Sequence, residues 1–169
     1  MSEADTWIFG FGSLIWGTGN VEPAEVVSGY LEGWHREWSW ISENRRHGAP
    51  TCSLEPGGKV NGVFIRLNPA TAAEDLRELR SRERPETEQH LADIPRPGAT
   101  THFWTMDSNL SRYEELRGLS GEELSKALAA RARQTTDAGP DGITAVDYIR
   151  RVHDFDPEDE ETSRLRSYL

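Results

Sequence analysis

The sequence lacks the features that mark secreted and membrane proteins. It has a single cysteine, Cys52, so no disulfide can form within the chain, which suits a reducing compartment. No apolar run approaches the ~18 residues that a membrane-spanning helix needs. The N-terminus is polar and acidic, without a signal-peptide pattern. We therefore expect a cytoplasmic protein with no membrane partner.

Positive charge is also scarce. The chain has 19 Lys and Arg residues against 29 Asp and Glu residues, which gives a net charge of −10. Nucleic acid phosphates would be repelled by this charge, so we expect no nucleic acid partner. An anionic small molecule would have to be met by local positive charge, because the overall field is unfavourable.

Familiar catalytic and metal-binding patterns are missing as well. The five histidines stand at no zinc-like spacing from other ligands, so no metal site is expected. Ser13 lies in Phe-Gly-Ser-Leu and not in Gly-x-Ser-x-Gly, which argues against a nucleophile elbow. Cys52 could be a catalytic thiol, but Thr-Cys-Ser-Leu indicates a strand, where a buried cysteine is the commoner outcome.

Strand patterns dominate the first half of the chain, and helical patterns come later. Residues 56–59, Pro-Gly-Gly-Lys, predict a turn between two strands. Residues 86–98 predict a loop or an irregular edge strand. The predicted strands are 6–10, 28–41, 51–55, 60–67 and 100–106.

The helices are predicted from capping residues and apolar spacing. One runs from Thr71 to about Arg84, one follows Ser120 through Ala132, and one spans Thr144 to Val152. Strands and helices do not alternate regularly, so an α+β fold is favoured over a doubly wound sheet. We expect residues 1–169 to form one domain, with the acidic segment 154–169 as a peripheral tail.

The most informative segment is Trp-Ile-Phe-Gly-Phe-Gly-Ser-Leu-Ile-Trp at residues 7–16. It begins as a strand and breaks at Gly10 and Gly12, which permit unusual backbone angles and close approach. Such a turn leaves several N–H groups pointing one way, an arrangement that suits a carboxylate or a carbonyl oxygen. On local chemistry alone, a tight structural turn between core strands is the preferred interpretation.

Two charged residues have both a structural and a functional interpretation. Glu83 ends the predicted helix, where a carboxylate opposes the helix dipole. It is either an exposed ion pair with its neighbouring arginines, the preferred interpretation on its own, or a general base near the glycine turn. Arg36 could bind a substrate carboxylate through its bidentate fork, although a surface arginine on a strand is the commoner outcome.

Taken together, these segments resemble the γ-glutamylcyclotransferase superfamily, and most closely its ChaC-like, glutathione-degrading branch. Residues 7–16 are similar to the family's Gly-Tyr-Gly-Ser-Leu substrate loop, and Arg82-Glu83 stands where the family has its Arg-Glu pair. Core strands and the C-terminal half complete the resemblance across about 145 residues. These further segments are residues 33–36, 56–58 and 62–67, then 107–109 with Tyr113, and 138–142 with 147–149.

The resemblance implies an enzyme with a small mixed β-barrel or sheet and packed helices. Glu83 would be the catalytic acid/base, and the substrate would be glutathione or a related small γ-glutamyl compound that releases 5-oxoproline. No metal or cofactor is implied, and a homodimer is left open. The residues expected to bind substrate are Phe11, Gly12, Ser13, Leu14, Arg36, Tyr113 and Tyr148.

Departures from the family pattern motivate two alternatives. Phe11 stands where the family usually has tyrosine, and no Gly-Tyr follows Glu83. The extra acids Glu86 and Glu88 would disfavour a dianionic substrate such as glutathione. One alternative is a cyclotransferase for another γ-glutamyl amine or a specialised metabolite. The other is a non-catalytic binding module on the same fold.

Overall fold

In the computed structural model, the described residues form three strands, a helix, two further strands and then three helices, in that order along the chain. The structure describes residues 5–42, 49–83, 87–92, 99–106, 116, 118–135, 138 and 142–169, and within them the main chain alone at 39–42, 83, 87–89 and 106. The strands are β1 (Thr6–Gly10), β2 (Pro23–Ser42), β3 (Ala49–Leu67), β4 (Thr87–Ala92) and β5 (Thr100–Met106). The helices are α1 (Ala72–Glu83), α2 (Gly121–Gln134), α3 (Ala145–Phe155) and α4 (Glu160–Arg166).

The strands form one mixed sheet in the order β2-β3-β1-β5-β4. β1 and β5 run parallel, whereas the other neighbouring pairs are antiparallel. The sheet curls into a half-barrel. The curvature brings its two outer strands together, so that the rings of Trp34 on β2 and His90 on β4 lie with centroids 4.8 Å apart. The expected α+β class is confirmed. Because β1 and β5 are parallel, the segments that follow both strands leave the sheet at the same edge.

The turn predicted at residues 56–59 is wrong. Residues 49–67 form one long strand, and Gly57 and Gly58 make a bulge opposite Gly33. Both bulge glycines have positive φ, 107° and 77°, which a side chain would disfavour. The Pro-Gly-Gly pattern is compatible with either a hairpin turn or a bulge. A bulge forms here because β2 pairs with β3 on both sides of these glycines.

Alternation along the strands divides the core between the two faces of the sheet. Trp7, Phe9 and Phe103 lie on the inner face of the half-barrel. Ile8 and Trp104 lie on the opposite face, which α1 covers with Leu79. A third cluster joins α2, α3 and α4 to the far half of β2 and β3, with Trp38, Tyr148 and Leu165 among its members. Among the described helices, none is long and apolar enough to cross a membrane.

The expectation that residues 154–169 are peripheral is wrong. α4 buries Leu165 and Thr162, and the Trp38 indole N–H donates to the Thr162 hydroxyl at 2.8 Å. Asp156 is only 5% exposed. Of the acidic run that suggested a solvated tail, Glu158 and Glu160 are exposed, whereas Asp159 and Glu161 are partly buried. Composition alone therefore hid the packing of this segment.

Candidate active site

The loop after β1 presents a row of main-chain donors. A short 3₁₀ turn covers Ser13–Ile15, with N–H groups of Ile15 and Trp16 donating to the carbonyls of Gly12 and Ser13 at 3.0 and 3.3 Å. Within the described part of the chain, the N–H groups of Gly12, Ser13 and Leu14 have no hydrogen-bond acceptor. The first N–H groups of any helical turn lack internal partners. The loop can therefore donate to an oxyanion or a carbonyl oxygen.

Tyr148 supports this loop from α3. A Cβ atom placed on Gly12 would collide with the Tyr148 hydroxyl. The tyrosine ring is 3% exposed and lies between two tryptophans, Trp16 and Trp38, each edge-on with centroids 5.5 Å away. Tyr148, which was expected in the site, is thus adjacent to Gly12. Tyr113 lies outside the described residues.

This contact predicts a specific rescue. Gly12→Ala should destabilise the protein by about 1–3 kcal/mol, because the added methyl group overpacks against the Tyr148 hydroxyl. Adding Tyr148→Phe removes that oxygen and leaves the ring carbon at 3.5 Å, an ordinary contact. Urea denaturation of the two single variants and the double variant measures the coupling. Strictly additive effects would contradict the contact.

Arg36 on β2 holds the loop's main chain. Its side chain is fully buried, and its Nε donates to the Phe11 carbonyl at 3.1 Å. Nη1 donates to a carboxylate oxygen of Asp156 at 2.7 Å, and Nη2 donates to the Asn61 carbonyl. The expected contact between Arg36 and substrate stays a prediction. The observed contact is with the loop that is expected to bind the substrate.

Two of these partners had not been singled out in the sequence. Asp156 also accepts from the Asn61 side-chain amide at 3.2 Å, so one carboxylate is hydrogen-bonded to side chains of both β2 and β3. A buried arginine requires an acidic partner. Nothing in the sequence, however, says which of 29 acidic residues supplies it.

The last turn of α1 lies beside the same loop. Leu79 on α1 and Leu14 in the loop are buried in one cluster. A Cβ built on Gly19 would lie 3.6 Å from a guanidinium nitrogen of Arg82. Ser13 and Arg82 both line a cleft of about 1060 Å³ between the loop, α1 and the start of α3.

Glu83 is the final residue of α1, and its side chain lies outside the described part. Its main chain lies about one helical turn beyond the buried Leu79. β4 begins at Thr87, which pairs with Met106 at the end of β5. The main chain of Glu83 therefore approaches the edge of the sheet at which β1 ends in the glycine loop.

Phe11 packs between two parts of the core. It is half-buried and contacts both the inner cluster of the half-barrel and the helical cluster. Its ring lies 6.4 Å from that of Phe9. A tyrosine hydroxyl is absent here, so the loop's remaining polar groups are its main-chain N–H groups and Ser13.

Cys52 does not have the properties of a nucleophile. It is buried, and burial raises the pKa of its thiol to about 12. Since the thiolate is the reactive form, the thiol is inert at neutral pH. Across the described ranges, His, Cys, Asp and Glu side chains form no group of three or more able to hold a metal.

The folded protein should therefore resist thiol reagents. We expect Ellman's reagent at about pH 8 to label less than a tenth of Cys52 in the native state and all of it in urea, because burial and the raised pKa both suppress attack. Absorbance of the released thiolate measures the labelled fraction. Rapid native labelling would show that Cys52 is accessible.

Comparison with solved structures identifies the fold. A crystal structure of the glutathione-specific γ-glutamyl cyclotransferase from yeast superposes with a TM-score of 0.72, covering 98% of this chain and 96% of that one at 14% identity. A second structure of the yeast enzyme gives a TM-score of 0.70 at 15% identity, covering 97% of each chain. The half-barrel, with the four helices that the described residues form, thus has the γ-glutamyl cyclotransferase fold.

Sequence comparison then identifies the family. The model of the ChaC-like protein family matches residues 6–124, which include β1, the glycine loop and α1. The chain belongs to the ChaC-like protein family. The glutathione-specific γ-glutamylcyclotransferase of Escherichia coli K12 is 36% identical over 85 residues, which are 48% of this chain. That alignment spans 36% of the E. coli protein, about a third of its length.

Proposed function

We propose that this protein is a γ-glutamylcyclotransferase that releases 5-oxoproline from a γ-glutamyl compound, with glutathione as the first candidate substrate. The observation that carries the proposal is the approach of two family segments at one edge of the sheet. One is the glycine loop after β1, and the other is the last turn of α1, which ends at Glu83. Glutathione is named because the E. coli relative is named for it.

The loop would hold and polarise the γ-glutamyl group. N–H groups of Gly12, Ser13 and Leu14 can donate to the γ-carbonyl oxygen, where negative charge develops during attack. Arg36 acts through the Phe11 carbonyl and keeps the loop in place, so we assign it a positioning role. Phe11 and Tyr148 line or support the loop, and Tyr113 remains a predicted substrate contact.

The reaction closes a five-membered ring within the substrate. Glu83 takes a proton from the α-amine, whose nitrogen attacks the γ-carbonyl carbon and forms the new C–N bond. The bond from that carbon to the leaving nitrogen breaks, and Glu83 returns the proton to this nitrogen. The products are 5-oxoproline and an amino acid or peptide. Holding the substrate folded supplies much of the acceleration, because both reacting groups belong to one molecule.

The cleft beside Ser13 offers the local positive charge that an anionic substrate needs. It is lined by Arg77, Arg82 and Arg151 and by two acids, Glu74 and Glu78. The chain as a whole carries a net charge of −10, so this surface is an exception to the general field. A reducing cytoplasm would suit both the lone cysteine and a thiol substrate such as glutathione.

A substrate panel tests the proposal. The purified full chain is incubated with glutathione, several γ-glutamyl dipeptides and γ-glutamyl amines, and 5-oxoproline is measured by mass spectrometry. We expect glutathione to be turned over fastest. A γ-glutamyl amine as the best substrate would reject glutathione and keep the chemistry. Calorimetric binding of these compounds without turnover of any would reject the enzyme in favour of a binding module.

A further inference from the structure

Arg151 on α3 is held over the ring of Trp16, the residue that follows the 3₁₀ turn of the glycine loop. Its guanidinium carbon lies 5.5 Å from the centroid of that ring, within the range of cation–π attraction. Among the residues that the structure describes, no carboxylate or hydrogen-bond acceptor contacts this guanidinium. Because an aromatic face uses none of its N–H groups, Arg151 keeps its donors for another partner.

This guanidinium is placed beside the loop by Tyr148, which precedes it by three residues on α3. Residues three apart lie on the same side of a helix. Tyr148 abuts Gly12 and contacts the Trp16 ring edge-on, with centroids 5.5 Å apart. Tyr148, Trp16 and Arg151 therefore form one continuous wall along the loop. Ser13 and Arg151 both line the cleft of about 1060 Å³ that this wall borders.

The charges that line the cleft are unevenly distributed along it. Arg82 and Arg151 lie beside the loop and the residues that continue it. The two acids, Glu74 and Glu78, precede Arg82 on α1 by two turns and one turn, about 12 and 6 Å along the helix axis. The end of the cleft at the loop is therefore cationic, and it attracts the anionic part of a ligand that the loop holds.

The distances suit a leaving group of two residues. In the proposed reaction, the loop N–H groups bind the γ-carbonyl oxygen. Two residues follow this carbonyl in glutathione, and an extended chain covers about 3.5 Å per residue, so the terminal carboxylate lies about 7 Å away. Ser13 and Trp16 are separated by one 3₁₀ turn, which rises about 6 Å. The carboxylate can therefore reach the guanidinium above Trp16 while the γ-carbonyl stays at the loop.

We propose that Arg151 is a specificity-determining residue that binds the terminal carboxylate of the leaving peptide. This rests on the proposed function, which places the γ-glutamyl group at the loop. The planar guanidinium fork pairs with a carboxylate through two parallel hydrogen bonds. The substrate class is accordingly γ-glutamyl peptides that end in a carboxylate. γ-Glutamyl amines lack this group, so they lose the contact.

Glutathione amide, in which the glycine carboxylate is replaced by a neutral amide, probes this contact. We expect wild type to have a kcat/KM about tenfold higher for glutathione than for the amide, mainly through KM. In Arg151→Gln this ratio should fall below about twofold, because the charged partner of the carboxylate is lost. A wild-type preference for the amide would overturn the proposal.

Arg150→Gln is the matched control. It removes the same charge from the adjacent residue, whose guanidinium lies 3.9 Å from Asp147 and is not part of the cleft lining. Both arginines are exposed, so neither substitution should unfold the protein, which circular dichroism verifies. The control should keep the wild-type ratio. Equal ratios for Arg151→Gln and Arg150→Gln would show that only the general field acts, and would overturn the proposal.

Calorimetry tests binding apart from turnover. In the Glu83→Gln background, adding Arg151→Gln should weaken glutathione binding about tenfold, whereas adding Arg150→Gln should change Kd by less than about twofold. If this difference is found while wild type releases no 5-oxoproline from any γ-glutamyl compound, the proposed function fails and the carboxylate subsite stands. If wild type turns over glutathione but the two double variants bind it equally, the subsite fails and the function stands.

Discussion

Glu83→Gln should lower the release of 5-oxoproline by about 10³-fold or more while leaving the protein folded. General acid–base catalysis contributes typically 10²–10⁴-fold, and here one carboxylate both takes and returns the proton. Glutamine keeps the size and polarity of the side chain and can do neither. The measurement is kcat for the best substrate of the panel, with circular dichroism and urea denaturation to verify the fold.

A matched control separates chemistry from charge. Glu122→Gln makes the same substitution at an exposed position in the first turn of α2, away from the loop and α1. Its kcat should stay within about twofold of wild type, since surface substitutions rarely perturb a distant site. Activity of Glu83→Gln comparable to this control would remove Glu83 from the mechanism and require another proton carrier.

Arg36→Met should cause the largest loss of stability among single substitutions in the site, about 3–5 kcal/mol in the free energy of unfolding. Removing one partner of a buried ion pair leaves the other charge uncompensated, and Asp156 would lose its 2.7 Å bond to Nη1. The Phe11 and Asn61 carbonyls would lose their donors at the same time. Urea denaturation followed by tryptophan fluorescence gives the value.

Arg66 provides the comparison on the neighbouring strand. Its side chain is 26% exposed, and its Nε lies 3.1 Å from Glu25. An exposed pair of this kind contributes about 0–1 kcal/mol, so Arg66→Met should be nearly neutral. Equal losses for the two variants would mean that the buried network does not hold the loop. We also expect Arg36→Met to lower kcat, because the loop's main chain loses its anchor.

The local elements followed from short-range patterns. The strand at residues 6–10, the glycine break after it and the strand at 100–106 were predicted with the bounds that the structure has. α1 was predicted at 71–84 from the spacing of Leu76 and Leu79 and ends at Glu83. These features depend on residues within a few positions of each other, so the sequence contains the information directly.

The loop pattern, the Arg-Glu pair, the core-strand segments and the C-terminal segments together predicted membership in the ChaC-like family, which is confirmed. The roles of individual residues are a different matter. Glu83 as acid/base and the seven expected substrate contacts stay predictions, because they concern a molecule that the sequence does not contain.

Other features are visible only in the tertiary structure, because they depend on contacts between residues far apart in the sequence. Arg36 donates a hydrogen bond to Asp156, which lies 120 residues later in the chain, and Trp38 donates one to Thr162, which lies 124 residues later. These bonds turn a segment that looks solvated into part of the core, and no local pattern contains them. The parallel pairing of β1 with β5 likewise brings Trp104 beside the glycine loop. The sequence by itself determined most of the elements, the family and the chemistry to look for, because these follow from short-range patterns of residues, whereas the strand that runs through Gly57 and Gly58 needed its partner β2. The folded chain decided which buried charges and donors meet, because pairing across the fold depends on how the sheet and helices pack.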